Sequence, residues 1–226
     1  MRAAVLSVVL VTALAGAASA ERRRRMESGF YLRVSIGASF VRDLVAVRPR
    51  LDDDQLGEEL DGAVAGVGGA LELSIGWVLD RGLALCIFVG TDAAPTSNSG
   101  FDSDLVDEAV AAVMNTTGLN LVYYPEPSGP WFVNGGAGIG IADSIGSGTP
   151  QAPGDVNPQA ADGVGVFFGG GWEFRLSSGW SLGAAGRIQV INADDADPSP
   201  ARHRGIGFAA MVTTSYNYGS RSQRSD

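Results

Sequence analysis

GFYLRVSIGASFV, from Gly29 to Val41, places an apolar side chain at every second position: Phe30, Leu32, Val34, Ile36, Ala38 and Phe40. Between them stand Tyr31, Arg33, Ser35, Gly37 and Ser39. A period of two belongs to a β-strand, because successive side chains point to opposite faces. The apolar set suits contact with lipid, and the small and polar set suits a crowded interior.

The pattern recurs along the chain. Further strands are expected over 62–79, 83–91, around 118–123, and over 131–142, 164–176, 180–192 and 205–218. The fourth is the weakest. Upstream of it, Leu105, Ala109, Ala112 and Val113 have helical spacing behind a capping Asp104. The stretch Asp104 to Met114 therefore reads either as a short loop helix or as an extension of the strand, with the extension preferred.

The connectors alternate long and short. Asp80-Arg81-Gly82, Pro125 to Gly129 and Ser177-Ser178-Gly179 are short; 42–61, 92–108, 143–163 and 193–204 are long. Trp77, Trp131, Trp172 and Trp180 all sit beside the short ones, and Tyr216 and Tyr218 end the last strand. Tryptophan and tyrosine favour the membrane–water interface, so these six form an expected aromatic girdle at one rim. The fold class that follows is all-β: an eight-stranded antiparallel up-and-down transmembrane β-barrel. Its short turns are periplasmic and its long loops extracellular.

Composition agrees. Glycine makes up 32 of 226 residues, about twice the usual share, as expected for strands with one small face. Met1 to Ala20 has the form of a secretory signal peptide, with Arg2, an apolar middle and the small-residue site Ala18-Ser19-Ala20. Residues 21–27 form a basic leader, 28–218 the barrel and 219–226 a polar tail expected to be disordered. Arg22 to Arg25 follow the cleavage site directly, and positive charge there hinders export. The alternative is an uncleaved anchor with those arginines on the cytoplasmic side. After export they would lie near anionic headgroups.

Charge and chemistry narrow the function. The net charge of −9 argues against nucleic acid as a partner. Eighteen of the 25 acidic residues fall in the four long connectors, which clears charge from the lipid belt. Asp52, Asp53, Asp54, Glu58 and Glu59, and Asp194, Asp195 and Asp197, offer hard oxygen ligands, yet neither group has calcium-loop spacing. No metal site or cofactor is expected. Cys86 is the only cysteine, so an intramolecular disulfide is excluded. His203, the only histidine, reads as part of the fourth loop between Arg202 and Arg204, a cationic spot near lipopolysaccharide phosphates or a solvated loop end. Ser199 is its nearest serine but lies in a proline-flanked loop, so no nucleophile–base pair is held rigid and no enzyme is expected. Gly135 to Gly140 lies inside a strand with no following helix, unlike a phosphate loop.

The alternation assigns Arg33, Glu72, Asn120, Asn134, Glu173, Arg175, Arg187 and Gln189 to the interior. An eight-stranded barrel is only wide enough for side chains to fill, so interior charges must pair. Strand neighbourhood suggests Arg33 with Glu72 and Glu173 with Arg187, a salt-bridge network that plugs the lumen or gates it.

Topology, aromatic rim and signal peptide together resemble the small eight-stranded outer-membrane barrels: the OmpX and Ail group, the OmpA transmembrane domain and the OmpW group. The resemblance covers about residues 28–218 without a diagnostic motif. The strand ending in Tyr216 and Tyr218 is similar to the closing signal read by the barrel-assembly machinery, although eight residues follow it here. The resemblance implies an outer membrane of the Gram-negative type, with lipid and lipopolysaccharide as neighbours; an extracellular or periplasmic protein partner is left open, and the four acidic loops would carry any such contact. A structural or surface-interaction role follows. The alternatives are a narrow pore for small or hydrophobic solutes and a soluble periplasmic ligand-binding barrel.

Overall fold

Alternation carries the first strand well past Val41, and most other strands outrun their expected ends in the same way. The computed structural model describes residues 28–47, 60–80, 82–95, 97–99, 109–126, 129–146, 161–176, 179–195 and 201–219. The expected signal peptide, the basic leader with Arg22 to Arg25, and all of the tail beyond Gly219 lie outside them. So do Asp52 to Asp54, Glu58, Glu59, Asp104, Asp197 and Ser199.

The strands are β1 (Gly29–Val47), β2 (Leu60–Asp80), β3 (Leu83–Pro95), β4 (Ser97–Ser99), β5 (Ala109–Tyr123), β6 (Trp131–Gly146), β7 (Ala161–Arg175), β8 (Trp180–Asp195) and β9 (Ala201–Gly219). All pairings are antiparallel. Around the barrel the order is β1-β9-β8-β7-β6-β5-β3-β2, and β2 closes on β1. β4 continues the register of β3 against β2, with Ala63 opposite Ser99, so β3 and β4 make one stave and the barrel has eight. Closure leaves no free sheet edge. At the short-turn end, Gly82 holds φ at 85°, a left-handed conformation that a residue without Cβ adopts freely.

In the half of the barrel nearest the short turns the pleat sorts side chains as expected. Ile36, Leu73, Ile75, Ile87, Leu119, Ile139, Phe168, Ile188 and Val212 face outward and are exposed. Arg33, Ser35, Glu72, Ser74, Asn120 and Asn134 face inward and are buried. A ligand-carrying soluble barrel needs the opposite sorting. The stretch from Ala109 is strand, which decides between the two readings of that segment; 104–108 are not described.

Farther from the short turns the alternation continues but its chemistry inverts. Val41, Val45, Val64, Ala94, Ala112, Met114, Ala142, Ala161, Ile191 and Ala193 now face inward and form one apolar cluster. Arg42, Asp61, Asp162, Asp194, Arg202 and Arg204 face outward and are exposed. Seven acids assigned to connectors from the sequence are therefore in strands: Asp43, Asp61, Asp92, Asp143, Asp162, Asp194 and Asp195. A loss of apolar alternation on the outer face marks the end of the apolar band, not the end of the strand. Backbone pairing persists because each neighbour still satisfies the other's N–H and C=O groups.

Candidate functional site

The interior of the barrel holds the candidate site, and it is layered. Nearest the short turns, four residues from four staves meet. Tyr31 on β1 and Tyr124, just after β5, join hydroxyl to hydroxyl at 3.2 Å. Tyr124 donates to Glu173 Oε2 on β7 at 2.9 Å, and Ser215 on β9 donates to the same oxygen at 2.7 Å. Arg175 lies half-buried on β7 in the adjacent inward position.

Above this layer runs a chain of charges. Arg33 Nη2 donates to Glu72 Oε1 at 2.5 Å. Arg187 Nη1 approaches Glu72 Oε2 at 3.5 Å, and Arg187 Nη2 donates to Asp92 Oδ1 at 2.8 Å. All four side chains are at most 2% exposed. β8 and β3 are opposite staves, so the Arg187–Asp92 bridge crosses the whole lumen. Asn134, with its amide oriented to satisfy both ends, accepts from Arg33 Nη2 at 2.9 Å and donates to the Gly169 carbonyl at 3.2 Å. Asn120 donates to Ser74 Oγ at 3.2 Å, and Ser35 donates to Thr213 Oγ1 at 3.0 Å.

Aromatic rings fill what the charges leave. Phe88 on β3 stacks on Phe167 on β7, ring centres 3.8 Å apart. The Arg33 guanidinium lies 4.7 Å from the Phe132 ring centre, and that of Arg187 lies 5.8 Å from Phe88. Both are within cation–π range. The glycines make room: a Cβ on Gly90 would strike Arg187 Nη1 and the Phe88 ring, and one on Gly136 would stand 2.8 Å from Phe167.

At the far end, among the described residues, a polar pair lies inside the apolar cluster. His203 Nδ1 on β9 and Asp43 Oδ2 on β1 are 2.6 Å apart, and both side chains are almost completely buried. The pair joins the first and last strands across the seam that closes the barrel.

Outside, the six aromatic residues assigned to the girdle all lie on outward positions near the short turns. Trp77, Trp131, Trp180 and Tyr218 are exposed, while Trp172 and Tyr216 are half-buried. Trp131 and Trp172 are cross-strand partners with ring centres 4.1 Å apart, and Trp180 and Tyr216 are partners at 4.8 Å.

A closed antiparallel barrel with apolar residues outside and a polar interior matches what the family comparison finds. The model of the "Outer membrane protein beta-barrel domain" matches residues 3–212.

This chain belongs to the outer-membrane β-barrel family.

No curated protein matches it. Among solved structures, OprG from Pseudomonas aeruginosa aligns with a TM-score of 0.54 at 11% identity, over 87% of this chain and 99% of that one. Neisserial surface protein A aligns with a TM-score of 0.43 at 13% identity, over 84% and 99%. AlkL in lipid bilayers gives 0.45 at 17% identity, over 84% and 92%. The likeness to OprG is one of fold.

Within this outer-membrane barrel, three site expectations change. Glu173 does not pair with Arg187. The β7–β8 register sets Glu173 opposite Gly183 and Arg187 opposite Gly169, four residues along the strand, so each finds partners at its own level. His203 is not a loop residue: it lies on β9, and Arg202 and Arg204 point outward while it points in. Asp43 and Asp92 are lumen residues, not members of acidic connectors. Sequence reasoning missed both, and also the Phe88–Phe167 stack. The missed signal was parity, since Asp43 continues the inward series of Ser39 and Val41, and Asp92 that of Phe88 and Gly90. Asp194 pairs with Arg202 at 3.1 Å on the outer surface, where both are more than half exposed. Among the described residues no cluster of three metal-ligating side chains occurs.

Proposed function

We propose that this chain is a non-catalytic barrel of the outer membrane of a Gram-negative-type bacterium, with a plugged lumen and a structural or surface-interaction role. The observation that carries the reading is the lumen-wide bridge of Arg187 to Asp92 beside the stacked Phe88 and Phe167. A charge bridge between opposite staves and the rings of β3 and β7 fill the cross-section, and the lumen network Arg33, Glu72, Arg187 and Asp92, with Glu173 below it, holds the strands in register. In this reading residues 1–20 are a signal peptide and the barrel-assembly machinery inserts the chain. The girdle of Trp77, Trp131, Trp172, Trp180, Tyr216 and Tyr218 sits at the periplasmic interface. In this reading the long connectors are extracellular and carry any contact with a protein partner.

The test is conductance of the purified full chain in planar lipid bilayers. No current steps are expected from the wild type, and steps are expected from Phe88→Ala combined with Phe167→Ala. Regular steps from the wild type would overturn the plugged reading and favour a narrow pore for small solutes. One observation supports that second reading: neither amide atom of buried Gln189 finds a hydrogen-bond partner among the described residues, which suits a wetted lumen.

A further inference from the structure

The polarity inversion marks a ring on the outer surface where the lipid belt ends. The outward positions from Phe30 to Phe40 cover roughly 25 Å for a tilted strand, the height of an outer-membrane apolar band. The next outward residue on β1 is Arg42. On β9 the belt ends at Ile206, and the next outward residue is Arg204. On β6 and β7 the corresponding first polar residues are Asp143 and Asp162. On β3 and β5 they are neutral: Asn115 donates to Thr91 Oγ1 at 3.0 Å and accepts from Thr117 at 3.3 Å. The ring is thus positive at the β1–β9 seam and negative on β6 and β7, with Asn192 first on β8 and Asp61, higher up, first on β2.

The two arginines are neighbours. Arg42 faces Ile206 across the seam and Arg204 faces Leu44, so the pair stands on one diagonal of the sheet. Diagonal positions are roughly 7–8 Å apart, a gap that two long side chains close. No carboxylate among the described residues pairs with either of them. Arg202 lies one outward position above Arg204 and is engaged by Asp194, and Asp61 stands two outward positions above the level of Arg42. Leu44, Ile206, Phe40 and Phe208 supply apolar surface between and below the arginines, and Leu44, Phe40 and Phe208 are more than 40% exposed.

We propose that Arg42 and Arg204 form a binding site for the phosphate group of an outer-leaflet glycolipid, whose acyl chains lie on Phe40 and Phe208. Guanidinium groups take phosphate oxygens in a two-pronged geometry, and an acyl chain needs apolar surface directly below the headgroup. The seam offers both at one level. The acids on β6 and β7 repel the same phosphate, so the lipid is held on one side of the barrel only. This site rests on the outer-membrane reading, with the long connectors outward.

The test uses the full chain folded in detergent micelles, with bisphosphorylated lipid A as the probe and native mass spectrometry as the readout. Wild type is expected to retain the lipid. Arg42→Gln with Arg204→Gln is expected to weaken retention roughly tenfold to thirtyfold, and dephosphorylated lipid A to bind the wild type as weakly. Asp143→Asn with Asp162→Asn is expected to leave retention unchanged or stronger. Arg42→Lys with Arg204→Lys, which keeps the charge, is expected to fall between wild type and the glutamine variant and serves if that variant does not fold. A folded barrel that binds equally in all forms, or that holds dephosphorylated lipid equally well, would overturn the site. Displacement of lipid by millimolar inorganic phosphate would overturn the glycolipid as its ligand. A wild type whose gel band does not shift on boiling would instead overturn the outer-membrane reading beneath it.

Discussion

The two ends of the lumen are built on one backbone pattern with opposite chemistry. Near the short turns, polar side chains face in and apolar ones face lipid: Arg33, Glu72 and Arg187 inside, Leu73, Ile75 and Ile188 outside. Near the long connectors, Val41, Met114 and Ile191 face in while Arg42, Asp162 and Arg204 face out. The first half is a membrane barrel; the second has the inside-out order of a barrel standing in water. The difference shows that solvent, not strand geometry, decides which face is apolar. Each half has to keep its interior dense, and each does so with the material its exterior leaves available.

The largest loss is expected from Glu72→Ala, which leaves Arg33 and Arg187 buried without the carboxylate between them. Removing one partner of a buried pair costs about 3–5 kcal/mol. Urea unfolding in detergent, followed by fluorescence of the tryptophan girdle, measures it. A loss below about 1 kcal/mol would mean that charge pairing is not what holds the membrane half together.

Met114→Ala probes the other half. Its side chain is buried against Gly205, where an added Cβ would stand 2.8 Å from the methionine methyl carbon. A packed apolar core predicts a loss of about 2–5 kcal/mol. An unchanged unfolding midpoint would show that this end is a loose extension and would end the comparison.

The smallest expected effect is the coupling between Asp43 and His203. A double-mutant cycle with Asp43→Asn and His203→Gln is expected to give an interaction of about 0.5–3 kcal/mol, the range for hydrogen-bonded residues in contact. Coupling near zero, with each single change equally costly, would make the two residues independent polar intrusions in the apolar cluster rather than a clasp on the β1–β9 seam.

Much was determined by the amino-acid sequence alone. Period-two alternation such as Phe30 to Phe40 specifies strands, and the same parity puts the tryptophans beside the short connectors on the outer face. Parity then assigns Arg33, Glu72, Glu173 and Arg187 to the inside, because a side chain's face depends only on whether its position is odd or even along the strand. Three things were decided by tertiary structure. The strands continue past the lipid belt, because pairing with a neighbour does not require an apolar outer face; Asp43, Asp92 and His203 became lumen residues for that reason. Partners across the lumen follow from register and stagger: Arg187 meets Asp92 on the opposite stave, not Glu173 on the adjacent one. The grouping of Arg42 with Arg204 exists only because the first and last strands close on each other, 162 positions apart in the chain. Local pattern encodes which way a side chain points, and only closure of the barrel encodes what it points at.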